Sequence, residues 1–472
     1  MSVHPVHPVT SSRCAAAPAA LRTRSLHVAT PADAAATGLP TVVGAGLVVP
    51  TLAGPTPYAN LDHAASTPAL SVVRDAVDRA LETYSSVHRG AGYASRLTSG
   101  WYEQARAEVA RFVGARAEDT VVFTRSTTDS WSLLAKALPD ATTVFVFGTE
   151  HHSTLLPWGR SRTVRLPVPR TVAEAVDLLD EALATHPAPH RLVVVTAASN
   201  VTGEVWPVAR LTALAHRHGA RIAVDAAQLS AHRPIDLAGW DADYVAFSGH
   251  KTYAPYGAGV LAGRADWLDA GTPYLAGGGA TTNVTADTTT WATGAARHEG
   301  GSPNVVGAVA LAAACSTISA HRAQIERHEA DLLEALRSGL AQVEGVEVLS
   351  IFGDAHDRVG VVAFTVAGWD SSLVSQVLSV EHGIGVRDGR FCAHVLVDEL
   401  LDDLAAEPFG ERSGTAVRAS LGLGSTAEGV ERLVNGIRAL VAHGTTATWT
   451  RGPRGWVIEG DDPRDTEAVR PW

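Results

Sequence analysis

From about residue 70 onward the chain alternates stretches of helical hydrophobic period with short runs of Val, Ile and Phe, and no other feature constrains the fold as much. Helical spacing covers 70–84, 101–113, 130–137, 171–184, 208–218, 307–321 and 323–343. Between them lie strand-like runs at 120–123, 143–147, 191–196, 221–224 and 244–247. Such alternation is the mark of βαβ units, whose parallel strands are buried on both faces. The expected class is α/β, with a mostly parallel sheet covered by helices. In an open sheet of this kind ligands bind beyond the carboxyl ends of the strands, so polar residues just after each strand are the first site candidates.

The pattern changes at residue 345. Strands at 346–351 and 360–366, a helix near 372–381, a Gly-rich loop and a helix at 426–442 predict a smaller α+β domain. A chain of 472 residues with 46% hydrophobic content can bury enough core for both. The expected organisation is an N-terminal tail over 1–57, disordered in part, a large α/β domain over 58–315, a small C-terminal α+β domain over 316–442 and a tail over 443–472. The first segment of the large domain is expected to contribute to the small one, and only 455–458 of the last tail looks ordered.

Composition narrows the function classes. An excess of 49 acidic over 38 basic residues, with no long Lys/Arg run, argues against nucleic acid as a partner. Cys14, Cys315 and Cys392 are far apart and form no CxxC pair, so neither a disulfide framework nor a thiolate-rich metal site is expected, and the cytoplasm is the expected compartment. The apolar run 39–52 is interrupted by Pro40, Gly44, Gly46 and Pro50 and is too short to span a bilayer, so no membrane segment is expected. Residues 1–32 carry Arg13, Arg22 and Arg24 and no acid, a composition shared by transit peptides and disordered Ala/Pro tails; the tail is the reading adopted here.

Lys251 is the strongest single signal. It follows a buried strand and the turn Ser248-Gly249-His250, a position from which its amine cannot easily reach solvent. Desolvation lowers such a pKa and makes the amine a nucleophile toward an aldehyde, whereas an isolated lysine more often binds phosphate or a carboxylate. Asp225 ends the preceding strand and lies at the same sheet edge, where a buried carboxylate needs a cation; a protonated pyridine nitrogen is one, and a turn cap is the alternative. Asn200 and Gln228 place neutral donors at that edge, suited to a phenolate oxygen. Ser126, Thr127 and Thr128 open a helix where backbone N–H groups and hydroxyls could converge on a phosphate, or serve only as an N-cap. His151 could stack on a flat ring; adjacent His151 and His152 are a poor metal pair, and no metal is expected.

Taken together, Ala64-Ala65-Ser66-Thr67-Pro68, Thr124-Arg125-Ser126-Thr127-Thr128, Glu150-His151-His152, Ser199-Asn200, Asp225-Ala226-Ala227-Gln228 and Ser248-Gly249-His250-Lys251 resemble the class V aminotransferase-fold enzymes, nearest to the cysteine desulfurase and selenocysteine lyase branch. The resemblance runs in order over about residues 58–442. It implies the pyridoxal-phosphate-dependent transferase fold of type I, a homodimer with sites at the subunit boundary, and pyridoxal 5'-phosphate held by Lys251 as a Schiff base. It further implies Asp225 on the ring nitrogen, His151 stacked on the ring as a catalytic residue, and Ser248, His250 and Thr128 on the phosphate. Ser302 matches a hydroxyl residue that reaches that phosphate from the neighbouring subunit, and Arg418 matches the arginine that binds the substrate carboxylate.

The loop Gly385-Val386-Arg387-Asp388-Gly389-Arg390-Phe391-Cys392-Ala393 resembles the desulfurase loop that presents a sulfur-accepting cysteine, with Cys392 at the matching position. The resemblance implies removal of sulfur from L-cysteine through a Cys392 persulfide, giving L-alanine, with transfer to a sulfur-acceptor protein. Arg387 and Asn200 join Arg418 as substrate-binding candidates, and Arg387 and Arg390 could favour the thiolate. The sequence departs from the family where paired histidines give way to Arg390-Phe391, where 396–414 is longer and more acidic, and where Gly424-Ser425 replaces a Tyr-Asn pair. A transaminase, epimerase or carbon-sulfur lyase that does not use Cys392 therefore stays open, as does a non-catalytic cofactor-binding scaffold.

Overall fold

The computed structural model describes residues 38–464 except 89, 160–162, 405–413 and 454. Cys14 and most of the expected N-terminal tail lie outside the described residues, as does part of the acidic segment after 396.

Seven strands form the main sheet: β1 (Asp119–Thr124), β2 (Thr142–Phe147), β3 (Thr163–Leu166), β4 (His190–Thr196), β5 (Arg221–Asp225), β6 (Tyr244–Ser248) and β7 (Gly259–Arg264). Their order is β1-β7-β6-β5-β4-β2-β3. The run from β6 to β3 is parallel, and β7 is antiparallel to both its neighbours, with Gly259 opposite Thr124 on one side and Ser248 on the other. Val193 and Val195 of β4 enter one core cluster and Leu192 and Val194 the other. The sheet is thus buried on both faces, which is why its strands read as continuous apolar runs rather than alternating ones.

A second sheet is wholly antiparallel, in the order β8 (Val346–Val348), β9 (Val361–Val366), β11 (Ala416–Ser420), β10 (Arg387–Gly389). Leu332, Leu336 and Leu340 of the helix Arg322–Ala341, Val374 and Val377 of Ser371–His382, and Leu433 and Ile437 of Ala427–His443 bury one face of it. Residues 48–57, expected in a tail, form a hairpin whose Leu52 N–H donates to Val380 O at 3.0 Å. Gly455–Ile458 likewise has a partner strand, Trp449–Gly452, that the breaker-rich sequence hides. Among the described residues no single helix is long and apolar enough to cross a membrane.

The loop after β4 straps the two sheets together. Glu204, fully buried, accepts hydrogen bonds from Ser350 Oγ at 2.6 Å, Ile351 N at 2.7 Å and Phe352 N at 2.8 Å, and Arg358 lies 3.7 Å away. Val359 N–H donates to Gly203 O and Val205 N–H to Asp357 O, each at 2.9 Å. Gly203 has φ +75°, and a Cβ there would come within 2.5 Å of Val361 O, so the close approach admits only glycine.

Candidate active site

At the carboxyl edge of the main sheet, facing the second sheet, lies a cavity of about 330 Å³. It collects residues from eight separate parts of the chain, including Lys251, Asp225, His151, Asn200, Arg418 and Cys392. Ser126, Thr127, Thr128, Gln228, Ser248, His250 and Arg387 line it as well.

Lys251 ends a single 3-10 turn, Gly249–Lys251, that follows β6. Its Nζ makes no hydrogen bond or ion pair among the described residues, and burial brings the amine down to about 8, with Asp225 opposing and Arg418 adding to the fall. Asp225 closes β5 and is fixed by three donors: Thr154 Oγ1 at 2.6 Å and Trp131 Nε1 at 3.5 Å on Oδ2, and Ala227 N at 2.9 Å on Oδ1. A carboxylate has about four lone-pair sites, so one place is left for a donor from the cavity.

His151 caps the one-turn helix His152–Leu155, its Nδ1 accepting from Ser153 N at 3.1 Å. Burial, reinforced by Lys251, pulls the imidazole down to about 4. It is neutral at pH 7, and because an N–H donates to Nδ1 the ring proton sits on Nε2.

The phosphate-sized end is built by local chemistry. Ser126 caps the helix Thr127–Ala137 and Thr127 N–H donates to Ser248 Oγ at 2.7 Å, which brings the helix N-terminus to the end of β6. Gly259 of β7 runs so close behind that a Cβ would stand 2.6 Å from Ser126 Cα.

The opposite wall comes from the second sheet. Arg418 of β11 donates to Asn200 O at 2.8 Å and to Asp62 Oδ1 at 3.4 Å, while its buried Nε has no partner. Burial lowers the guanidinium to about 10, against the pull of Asp62. Arg387 pairs with Asp62 at 3.2 Å and leaves the cavity a second cation. Phe391 lies under Arg418, ring centroid 4.9 Å from Cζ. Phe391 and the exposed Cys392 both have positive φ, 51° and 54°, a conformation rare for non-glycine residues and rarer in succession. Two large-sheet groups hold them there: Asn200 Nδ2 donates to Phe391 O and His152 N to Cys392 O, each at 2.8 Å.

The structure corrects one sequence expectation, for Arg390, and places three others more closely. Ser302 is not in this cavity; it lines a separate one with Tyr102, Arg125, Tyr274 and Glu299, as a group meant for a neighbouring subunit would. Arg390 does not face the thiol, because Asp398 at 2.9 Å and Gly414 O hold it. Asn200 and Gln228 each spend one amide N–H on a backbone carbonyl, Phe391 O and Ala64 O, leaving a single N–H to offer a ligand. The sequence reading also missed Thr154, Trp131 and Asp62, whose roles come from tertiary contact and carry no local pattern.

The donor set fits pyridoxal phosphate: a desolvated amine, a braced carboxylate, a helix N-terminus with hydroxyls and a neutral imidazole occupy one cavity, and an orphaned guanidinium N–H points to an anionic substrate group.

Comparison with known proteins points the same way. Residues 59–433 match the family described as Aminotransferase class-V. A cysteine desulfurase of Dickeya dadantii is 35% identical over 402 residues, spanning 81% of this chain and 92% of the relative. A probable cysteine desulfurase of Vibrio cholerae is 32% identical over 398 residues, spanning 82% and 94%. The crystal structure of the cysteine desulfurase CsdA (S-sulfonic acid) from Escherichia coli superposes with a TM-score of 0.70 at 30% identity, covering 81% of this chain and 94% of that one. The apo structure of a cysteine desulfurase from Thermococcus onnurineus NA1 gives 0.73 at the same identity and coverage.

Proposed function

Since this chain belongs to the class V aminotransferase family, we propose that it holds pyridoxal phosphate on Lys251 and removes sulfur from L-cysteine, with Cys392 as the first acceptor and L-alanine as the product. The observation that carries this reading is the meeting in one cavity of a buried amine, a braced carboxylate, a partly orphaned arginine and an exposed thiol. When bound, the cofactor supplies an electron sink for negative charge at the substrate α-carbon.

The residues then divide the work. Arg418 grips the substrate carboxylate, with its planar fork aimed by Asn200 O and Asp62. Lys251, neutral in part near pH 7 because of its lowered pKa, takes the α-proton at Nζ. Cys392 attacks the substrate sulfur: an S–S bond forms, the Cβ–S bond breaks, and its electron pair stays on the carbon side, where protons complete alanine. Cysteine and the Cys392 thiol thus become alanine and a persulfide, with no outside oxidant. The exposed position of Cys392 suits onward transfer to an acceptor protein, and Ser302, outside its own chain's cavity, suits a homodimer in which each copy completes the other's site. The free thiols Cys315 and Cys392 suit a reducing compartment, the cytoplasm.

The test is product analysis. Purified, cofactor-loaded protein given L-cysteine and a reductant should yield alanine and sulfide in equal amounts, and Cys392→Ser should lose most of that turnover. Equal turnover in both proteins removes Cys392 from the reaction, and a keto acid, a D-amino acid or pyruvate as product replaces desulfurisation by another reaction of the family.

A further inference from the structure

Behind Asp225, on the side away from the cavity, stands a hydroxyl that the proposed chemistry does not use. Thr154 is fully buried and does not line the cavity, and its Oγ1 donates to Asp225 Oδ2 at 2.6 Å, the shortest of that carboxylate's three contacts. A carboxylate cannot donate in return, so the direction of this bond is settled by chemistry. Thr154 is held in place: its N–H donates to His151 O at 2.8 Å and its own O accepts from Trp158 Nε1 at 2.5 Å. His151, the N-cap of this one-turn helix, lines the cavity, and Thr154 follows three positions on, inside the helix. One short turn thus presents an imidazole to the cavity and a hydroxyl to the carboxylate behind it.

We propose that Thr154 is a positioning residue that sets, through Asp225, how strongly the bound cofactor ring withdraws electrons. The inference rests on the reading that Asp225 faces the ring nitrogen. A donor on Oδ2 takes up part of the carboxylate's negative charge, so a proton shared with the ring would stay on the ring and keep it cationic. It also fixes the carboxylate plane, leaving Oδ1 and the unused lone pair aimed at the cavity. Without the hydroxyl, the looser carboxylate, its charge no longer met on Oδ2, would draw the shared proton back, and the ring would lose part of its pull.

The experiment compares Thr154→Val, which keeps shape and loses the donor, with Thr154→Ser, which keeps the donor and loses a methyl group. In both, the visible absorbance of bound pyridoxal phosphate is titrated with pH and cofactor retention is measured by equilibrium dialysis, with circular dichroism confirming the fold. Thr154→Val should raise the pH midpoint of the absorbance by on the order of half a unit or more and weaken retention roughly tenfold, the scale of one hydrogen bond to a charged group. Thr154→Ser should stay near the wild type. If Val fails to fold, Thr154→Ala against Thr154→Ser makes the same comparison. A Val variant that titrates with the wild type, or a Ser variant disturbed as much as Val, overturns the inference alone. Absence of cofactor absorbance from the wild type overturns the cofactor reading and this inference with it.

Discussion

Replacing Lys251 by methionine should stabilise the cofactor-free protein. The amine is buried and titrates at about 8 rather than 10.5, so the folded chain resists a proton that the unfolded chain accepts freely. Between those two values the unfolded state binds more protons, and stability therefore rises with pH across that window. Below pH 8 the full penalty is present, and above 10.5 it is gone. The gap between 10.5 and about 8, at about 1.36 kcal/mol per pH unit, is on the order of 3 kcal/mol. Methionine fills a similar space without the charge, so the variant should gain about that much at pH 7 and much less near pH 10.5. Urea denaturation of the stripped wild type and variant at both pH values measures the difference. Equal midpoints at pH 7, or a gain unchanged at high pH, would refute the account of a desolvated amine. The expected result is a trade of stability for reactivity at Lys251.

Other substitutions probe the rest of the site. Arg418→Lys keeps the charge but not the planar fork, and should raise KM for L-cysteine by about ten- to hundredfold with a smaller change in kcat, read by steady-state kinetics. Glu204→Ala leaves Arg358 buried without its carboxylate and should cost about 3–5 kcal/mol in a denaturation experiment, since breaking a buried ion pair strands the remaining charge. Gly259→Ala drives a methyl group to 2.6 Å from Ser126 Cα, so the helix behind the phosphate-sized end must move; the expected cost is about 1–3 kcal/mol, together with faster loss of cofactor on dialysis.

The central sheet was legible in the sequence because burial on both faces leaves apolar runs, and all five strands expected there match β1, β2, β4, β5 and β6 to within a residue at each end. β7 was not, because Gly-Val-Leu-Ala-Gly-Arg reads as a loop. Its glycines answer to packing instead: Gly263 has φ +150° and stands where a Cβ would come within 2.1 Å of Asp243 O. β3 escaped notice because Thr-Val-Arg-Leu is short and carries a charge, and the helix His394–Leu404 because the acids along it masked its apolar face of Leu396, Val397, Leu400 and Leu401. Within the site, residues whose role depends on position after a strand, such as Lys251, Asp225 and Ser126, could be named in advance. Thr154 could not, because its partner lies 71 residues away and a threonine inside a short helix has no distinguishing pattern. The same holds for Asp62, which meets both Arg387 and Arg418 only after the second sheet has formed.

Asn200 carries two bonds that cross between the sheets: its backbone oxygen receives Arg418, and its side chain holds Phe391. A hinge opening that parts the sheets must break both, and so withdraws the arginine and lets the left-handed pair relax in the same movement. In the proposed reaction, the grip of Arg418 on the amino acid and the placement of the Cys392 thiol are therefore tied to the same residue, Asn200.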